Sequence, residues 1–483
     1  MSFLKRANER SQTCKTMNRL KFQNIPAVWV ALLLLASPLR SWAQFTFVTN
    51  NGTITITGYT GPGGNVTIPG TTNGYSVTSI KANAFYNKTN VTGVAIPDSV
   101  TDIGTNSFGN CSGLTNVTIG NGLTNIADSA FLACRKLVSM TIPDSVTSIG
   151  VQAFNACLGL TNVTIGNSVS SIGRAAFLNC SSLNSATIPS GVTNIGFGVF
   201  LGCSRLTNIN VNAANPSYAS ADGVLFNKSM TMLIEAPEAL AGAYAIPNSV
   251  ISIATNAFED CGLTSVIIPD SVTNIGNYAF YFCLGLTNVT IGNNVTSIGI
   301  GAFYDCFSLT IVTIPDSVVS IGSSAFDSCS RLTSVTIGNS ITKIGSYTFE
   351  YCVDLRQVYF SENAPLVAGQ SGSNNVSVFF NLYSGTVYYV PGTTGWGNFF
   401  GGWPTAVWLP QLQNISGNTP VTATNSFGFN INWASGQTVV VEASTNLQNW
   451  TLLITNTLVN GTNAFVDSTW TNYPQRFYRV RSQ

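Results

Sequence analysis

Apolar residues recur along this chain with a period of 23. Phe85, Phe108, Phe131, Phe154, Phe177 and Phe200 stand 23 residues apart. After an interruption Phe258, Phe280, Phe303, Phe326 and Phe349 resume the series, the first step being 22 and the others 23. Within one unit the apolar positions are fixed, as in Leu114, Val117, Ile119, Leu123, Ile126, Phe131 and Cys134, and Leu137 opens the next. Eleven anchors at one period specify a repeat array rather than a set of independent cores.

The Val-x-Ile part of each Leu-x-x-Val-x-Ile stretch alternates with period two and predicts a strand with one buried face. Pro or Gly follows it, at Pro97, Gly120, Pro143, Gly166 and Pro189, then at Pro247, Pro269, Gly292, Pro315 and Gly338. A residue lacking either a donor or a side chain turns the chain out of the strand there. A second short extended piece, such as Val146 to Gly150, leads to the Ala-Phe segment, where a short helical or 3₁₀ turn is expected. A lone unit buries too few side chains to offset the ordering of its backbone. Stacking at about 4.8 Å per strand supplies the missing core and makes the array about 50 Å long. The Pro/Gly alternation points to a double unit, with Leu-Thr-Asn-Val-Thr-Ile-Gly-Asn recurring at Leu114, Leu160 and Leu286.

Over residues 66–357 this pattern, Leu-x-x-Val-x-Ile-Pro, Val-x-x-Ile-Gly and Ala-Phe-x-x-Cys, resembles the BspA-like leucine-rich repeat. The fold expected is therefore a leucine-rich-repeat solenoid, mainly β with short helical or 3₁₀ turns, followed by a small C-terminal β-sandwich-like module. Residues 44–80 are read as an N-terminal cap with a degenerate first repeat and residues 81–357 as the repeats. An insert near 211–245 runs from Asn215-Pro216 through Asp222-Gly223 to Ile246-Pro247 and is similar to the family's usual one. Val387 to Gly392, continuing to Gly395-Trp396-Gly397, resembles the family's closing segment and assigns residues 358–408 to a C-terminal cap. Residues 409–483 carry strand-like runs at Val439 to Glu442 and Phe477 to Val480, as in β-sandwich modules appended to exported bacterial proteins.

Charge changes the picture at the N-terminus. The first 43 residues hold seven Lys/Arg against Glu9, and Lys15, Arg19 and Lys21 precede the apolar run Ala27 to Ala36 and then Ser41-Trp42-Ala43. This reads as an export signal cleaved after Ala43, with Met17 an alternative start and Gln44 the mature N-terminus. Later apolar runs are too short to span a membrane. The mature chain is secreted or cell-surface in this reading, with no transmembrane segment. From residue 44 onward thirteen basic residues face eighteen acidic ones, a net −5, which offers no basic stripe for nucleic acid.

Histidine is absent, which removes His-based triads, Cys-His dyads and imidazole metal sites. Ten cysteines, Cys111, Cys134, Cys157, Cys180, Cys203, Cys261, Cys283, Cys306, Cys329 and Cys352, each follow a Phe anchor by three residues. Stacking places neighbouring thiols at about 4.8 Å, beyond the usual Cβ separation of a disulfide, which favours a buried thiol ladder. Asp98, Asp144, Asp270 and Asp316 alternate with Asn121, Asn167, Asn293 and Asn339, as turn chemistry requires; a calcium ladder has too few oxygens per site. Glu235, Glu238, Glu259 and Asp260 form the nearest approach to a carboxylate cluster and are read as scattered surface acids. Trp396, Phe399, Phe400, Trp403 and Trp408 suit sugar stacking, although their place in the closing segment favours hydrophobic capping. No catalytic, cofactor or metal site is assigned.

With Val117 and Ile119 inward, Asn116 and Thr118 point out. Stacking makes two columns. One runs Asn116, Ser139, Asn162, Ser185, Asn208, Asn288 and Ser334; the other runs Thr118, Thr141, Thr164, Thr187, Thr290, Thr313 and Thr336. These columns are the candidate ligand face of a non-enzymatic recognition or adhesion protein, which the resemblance also implies, with a polypeptide or glycan as partner. The alternative is a structural envelope or matrix protein without a discrete ligand, the hydroxyl rows then serving the sheet alone.

Overall fold

The computed structural model describes residues 44–367, 378–382, 384–413 and 427–483. The export signal read at residues 1–43, with the alternative start Met17, lies outside the described residues.

Each repeat supplies one long and one short strand to a pair of stacked ribbons. The long strands include Asn116–Ile119, Ser139–Ile142, Asn162–Ile165 and Ser185–Ile188. Ser139–Ile142 and Asn162–Ile165 pair parallel and in register one repeat apart, with Ser139 opposite Asn162 and Thr141 opposite Thr164, and Ser185–Ile188 pairs in the same way with Asn208–Val211. Period two holds along them: Met140 and Ile142 are buried while Ser139 and Thr141 are exposed. The short strands Asn125–Ile126, Ser148–Ile149 and Ser171–Ile172 pair in the same parallel sense on another side of the coil. The turn that follows the short strand packs backbone on backbone. A Cβ placed on Gly150 meets the Asp128 amide nitrogen at 2.5 Å, so a side chain there would require the neighbouring turn to shift.

The Ala-Phe segment forms consecutive turns in place of the short helical or 3₁₀ piece expected from sequence. Residues two before and two after each Phe are left-handed, as at Asn106 (φ 59) and Asn110 (φ 59) around Phe108, or Ser129 (φ 56) and Ala133 (φ 56) around Phe131. This alternation aims every second amide along the stack. Asn106, Phe108 and Asn110 donate to the carbonyls of Asp128, Ala130 and Leu132 in the next repeat. A helix would use those amides within its own turn and leave the stack without them. Left-handed backbone disfavours ordinary L residues but is tolerated by Asn, and the side-chain amides of Asn106 and Asn110 bond those of Asn83 and Asn87 one repeat back.

Inside, the Phe rings form a column. Phe108, Phe131, Phe154 and Phe177 stack with centroids 5.2, 5.3 and 5.2 Å apart and planes within 4°. Beside it runs the thiol column. The ten ladder cysteines are buried and free, and their Sγ–H groups donate to carbonyls of the preceding repeat, as from Cys134 to Phe108 at 3.2 Å and from Cys157 to Phe131 at 3.2 Å, except that Cys261 donates to Pro237 of the insert. Burial pushes the Cys111 thiol up to about 11 and those of Cys134, Cys157 and Cys283 further. Since the thiolate is the reactive form, these four thiols are inert while folded. Ellman's reagent is expected to label most of the ladder cysteines only after denaturation, without added reductant. Mass mapping of several repeat-to-repeat disulfides would contradict this.

The insert breaks the array. A hairpin of Tyr218–Ala221 and Val224–Asn227 is followed by Met232–Glu235, which runs antiparallel to the hairpin and parallel to Ser252–Ile253, so a second short-strand sheet begins there. The buried apolar residues fall into two clusters that divide within the hairpin, Leu225 joining Phe200, Cys203 and Ile209 in the first while Val224 and Phe226 open the second.

Both ends of the coil are covered. Tyr59 stacks on Phe85 at 5.3 Å beneath an antiparallel N-terminal hairpin, Phe45–Asn50 with Thr53–Tyr59. At the other end Thr386–Tyr389 and Trp403–Val407 extend the parallel sheet, and Trp403 stacks on Phe379 at 4.3 Å. The C-terminal module consists of two three-stranded antiparallel sheets. Its core contains Phe429, Ile431, Trp433, Val439, Val441 and Phe465.

Candidate recognition face

The long-strand ribbon turns one row of side chains outward in every repeat. Asn116, Thr118, Ser139, Thr141, Asn162, Thr164, Ser185 and Thr187 are exposed in the first stack, and Asn288, Thr290 and Thr313 in the second, where Ser334 and Thr336 are half-buried. Their partners separate them from other threonines of the same coil. The hydroxyls of Thr115, Thr161, Thr207 and Thr287 bond carbonyls of the preceding repeat, as do those of Thr124 and Thr147 on the short-strand side. Those of Thr118, Thr141, Thr164, Thr187, Thr290, Thr313 and Thr336 bond nothing in the protein among the described residues. A sheet-stabilising hydroxyl ladder would show the first pattern. The second leaves a row of donors and acceptors to solvent. Between the columns and the Pro/Gly turns lies a shallow depression of 480 Å³ lined by Asn116, Thr118, Asn121, Ser139, Thr141 and Asp144.

The turn acids have another job. The carboxylates of Asp98, Asp144, Asp270 and Asp316 accept the amides of Asn121, Asn167, Asn293 and Asn339 one repeat on, at 2.7, 2.6, 2.6 and 3.0 Å. This bond is what the alternation of Pro-Asp and Gly-Asn units builds. Among the described residues no group of three or more His, Cys, Asp or Glu is placed to hold a metal ion.

Glu235 and Glu238, read from sequence as surface acids, are instead buried at the seam. The repeat after Phe200 lacks an Ala-Phe turn, so the carbonyls that would accept the Phe200 and Gly202 amides are missing. Glu235 accepts from Phe200 at 3.0 Å and Glu238 accepts from Gly202. Burial pushes these carboxyls up to about 8 and about 7, with Glu259 and Asp260 adding to the rise and the amide bonds opposing it. They complete backbone hydrogen bonding where the array is interrupted.

Sequence reasoning missed how the face continues. Ile267 and Ile311, 54 % and 58 % exposed, interrupt the two columns in the second stack. Register places Tyr359 opposite Thr336 and Tyr388 opposite Tyr359, so the threonine column runs on into stacked tyrosines 4.9 Å apart. Both tyrosines hold the threonine position of the same alternating frame, Gln357-Val-Tyr359-Phe and Thr386-Val-Tyr388-Tyr, which is the signal that was there to be read. Of the closing-segment aromatics, Trp396 and Phe400 pack on Phe360 and Trp403 on Phe379. Phe399 is largely exposed. Trp408 instead lies against Tyr359 at 4.8 Å, at the end of the threonine column.

Parallel strands in 23-residue register, internal columns of Phe and Cys and an outward row of small polar side chains define a leucine-rich-repeat solenoid. The chain belongs to the BspA-type leucine-rich repeat family: the pattern described as "BspA type Leucine rich repeat region" matches in six copies over residues 78–207 and 245–371. A leucine rich cell surface protein from Faecalibacterium prausnitzii is similar in structure, with 34 % identity and a TM-score of 0.55 over 66 % of this chain and 93 % of that one. The pneumococcal vaccine antigen PcpA shares the fold, with 23 % identity and a TM-score of 0.60 over 72 % of this chain and 92 % of that one. No curated protein matches the chain.

Proposed function

We propose that this protein is exported to the cell surface and acts there, without enzymatic activity, as a recognition or adhesion protein whose long-strand face binds a polypeptide or glycan. The observation that carries this reading is the contrast between bonded and unbonded threonines: the hydroxyls of Thr118, Thr141, Thr164 and Thr187 are exposed and have no partner in the protein. Short uncharged donors and acceptors repeated at strand spacing suit hydroxyl-rich or backbone-like ligands and suit phosphates poorly. The described similarity to a cell surface protein supports the location, and no helix among the described residues is long and apolar enough to cross a membrane.

The test is an array of surface proteins and glycans probed with the mature chain, residues 44–483. Saturable binding is expected, insensitive to salt because no charge pairs drive it. Replacing Thr141, Thr164 and Thr187 together with Lys is expected to abolish binding to the array partner while circular dichroism and melting stay near those of the parent. Undiminished binding by the folded triple variant would move the site off this face, and silence across the array would favour a structural role.

A further inference from the structure

Near its C-terminal end the recognition face acquires a second wall. A cleft of 490 Å³ lies between the outward threonines of the last repeats and the C-terminal module. Thr313, Thr336 and Asp316 line one side, and Trp408, Trp433 and Asn460 are among the residues on the other. The cleft uses the same frame as the depression of similar volume around Thr118 and Thr141, which is lined by no aromatic residue. What differs is the pair of indoles.

We infer that this cleft is a subsite for a neutral oligosaccharide, an assignment that rests on the recognition reading above and gives it a place and a ligand class. The wall is firmly held. The indole N–H of Trp433 donates to the Trp408 carbonyl at 2.8 Å, and Trp408 packs on Tyr359, itself stacked on Tyr388. Thr313 and Thr336 keep their hydroxyls free of protein partners, and Asp316 spends one carboxylate oxygen on the Asn339 amide.

Three features select the ligand. The lining holds no Lys or Arg, so nothing there compensates an anionic sugar or a phosphate. Toward the cap the strands beneath are continuously paired, from Ile311–Ile314 to Ser334–Ile337, Gln357–Phe360 and Thr386–Tyr389, so the side of the cleft that carries the indoles offers no sheet edge to an extended peptide. A pyranose has an apolar C–H face and a rim of hydroxyls, which match an aromatic wall opposite hydroxyl and carboxylate acceptors. The volume falls in the usual range for small-ligand sites, so a short stretch of a glycan fits rather than a single water-filled groove.

The experiment titrates the mature chain with soluble cello-, laminari-, manno- and chito-oligosaccharides, read by calorimetry and by tryptophan fluorescence. At least one series is expected to bind saturably and to change the indole emission. The double variant Thr313→Lys/Thr336→Lys, whose sites lie on the outward side of the sheet, is expected to bind at least tenfold more weakly while its circular dichroism is unchanged. Trp408→Ala is expected to do the same and also to remove the emission change. Undiminished binding by the folded double variant overturns the cleft. Binding to a protein ligand with silence toward all four series also overturns it but leaves the upstream face standing, whereas silence toward glycans and proteins alike fails both readings.

Discussion

Phe154→Ala is expected to destabilise the first stack by about 3–5 kcal/mol, the usual cost of emptying a buried aromatic site. The ring is fully buried and stacks on Phe131 at 5.3 Å and on Phe177 at 5.2 Å, so its loss leaves a gap bounded by two other rings rather than by mobile side chains. Backbone ladders on each side hold the neighbouring turns at their spacing and oppose collapse into that gap. Pairing the change with Phe177→Ala is expected to depart from additivity by about 0.5–3 kcal/mol, because the two share one cavity. Pairing it with Phe326→Ala is expected to be additive within about 0.5 kcal/mol, because Phe326 belongs to the other buried cluster. Urea unfolding of the three single and two double variants measures both terms. Equal coupling in the two pairs would show that the insert does not separate the cores.

The repeat frame was legible because burial in a stack depends on residue type at a fixed period. Val117, Leu123, Phe131 and Cys134 read as inward from spacing alone, and they are buried. The direction of Asn116 and Thr118 followed from the same alternation. The Ala-Phe turn was not legible as a turn, since its amides are satisfied by carbonyls 22 residues away, as from Phe108 to Ala130, and local propensity does not register such partners. A trace was present in the asparagines at 83, 87, 106 and 110, a residue type that tolerates left-handed backbone.

The face itself was legible as a list of residues and not as a site. Thr115 and Thr118 are the same residue type three positions apart, yet one hydroxyl bonds the Thr92 carbonyl at 2.8 Å and the other bonds nothing in the protein. Only geometry separates them. The cleft beside Trp408 depends on the chain returning after the cap to place Trp433 and Asn460 there, a long-range event with no local signature. Glu235 and Glu238 failed for a related reason: their burial follows from a turn that the insert deletes, and an absent turn leaves no residues to read.

That deletion makes stability depend on pH in an unusual direction. In the unfolded chain Glu235 and Glu238 titrate near an ordinary carboxyl value of about 4.3. In the folded chain burial raises Glu235 to about 8 and Glu238 to about 7. The folded state therefore binds more protons than the unfolded state between these limits, and stability falls as pH rises there. The contribution is complete below about pH 4.3 and is lost progressively up to about pH 8, at about 1.4 kcal/mol for each unit by which a buried carboxyl is raised. Glu259 and Asp260, also raised by burial, act in the same sense. Melting followed by circular dichroism is expected to show Tm falling from pH 5 to pH 8. Glu235→Gln keeps a carbonyl to accept the Phe200 amide and removes the charge. It is expected to raise Tm at pH 8, to leave Tm at pH 5 nearly unchanged and so to flatten the slope. A parent-like slope in that variant would locate the pH dependence elsewhere, whereas a uniform loss of stability at both pH values would mean that the amide bond, not the buried charge, sets the role of Glu235.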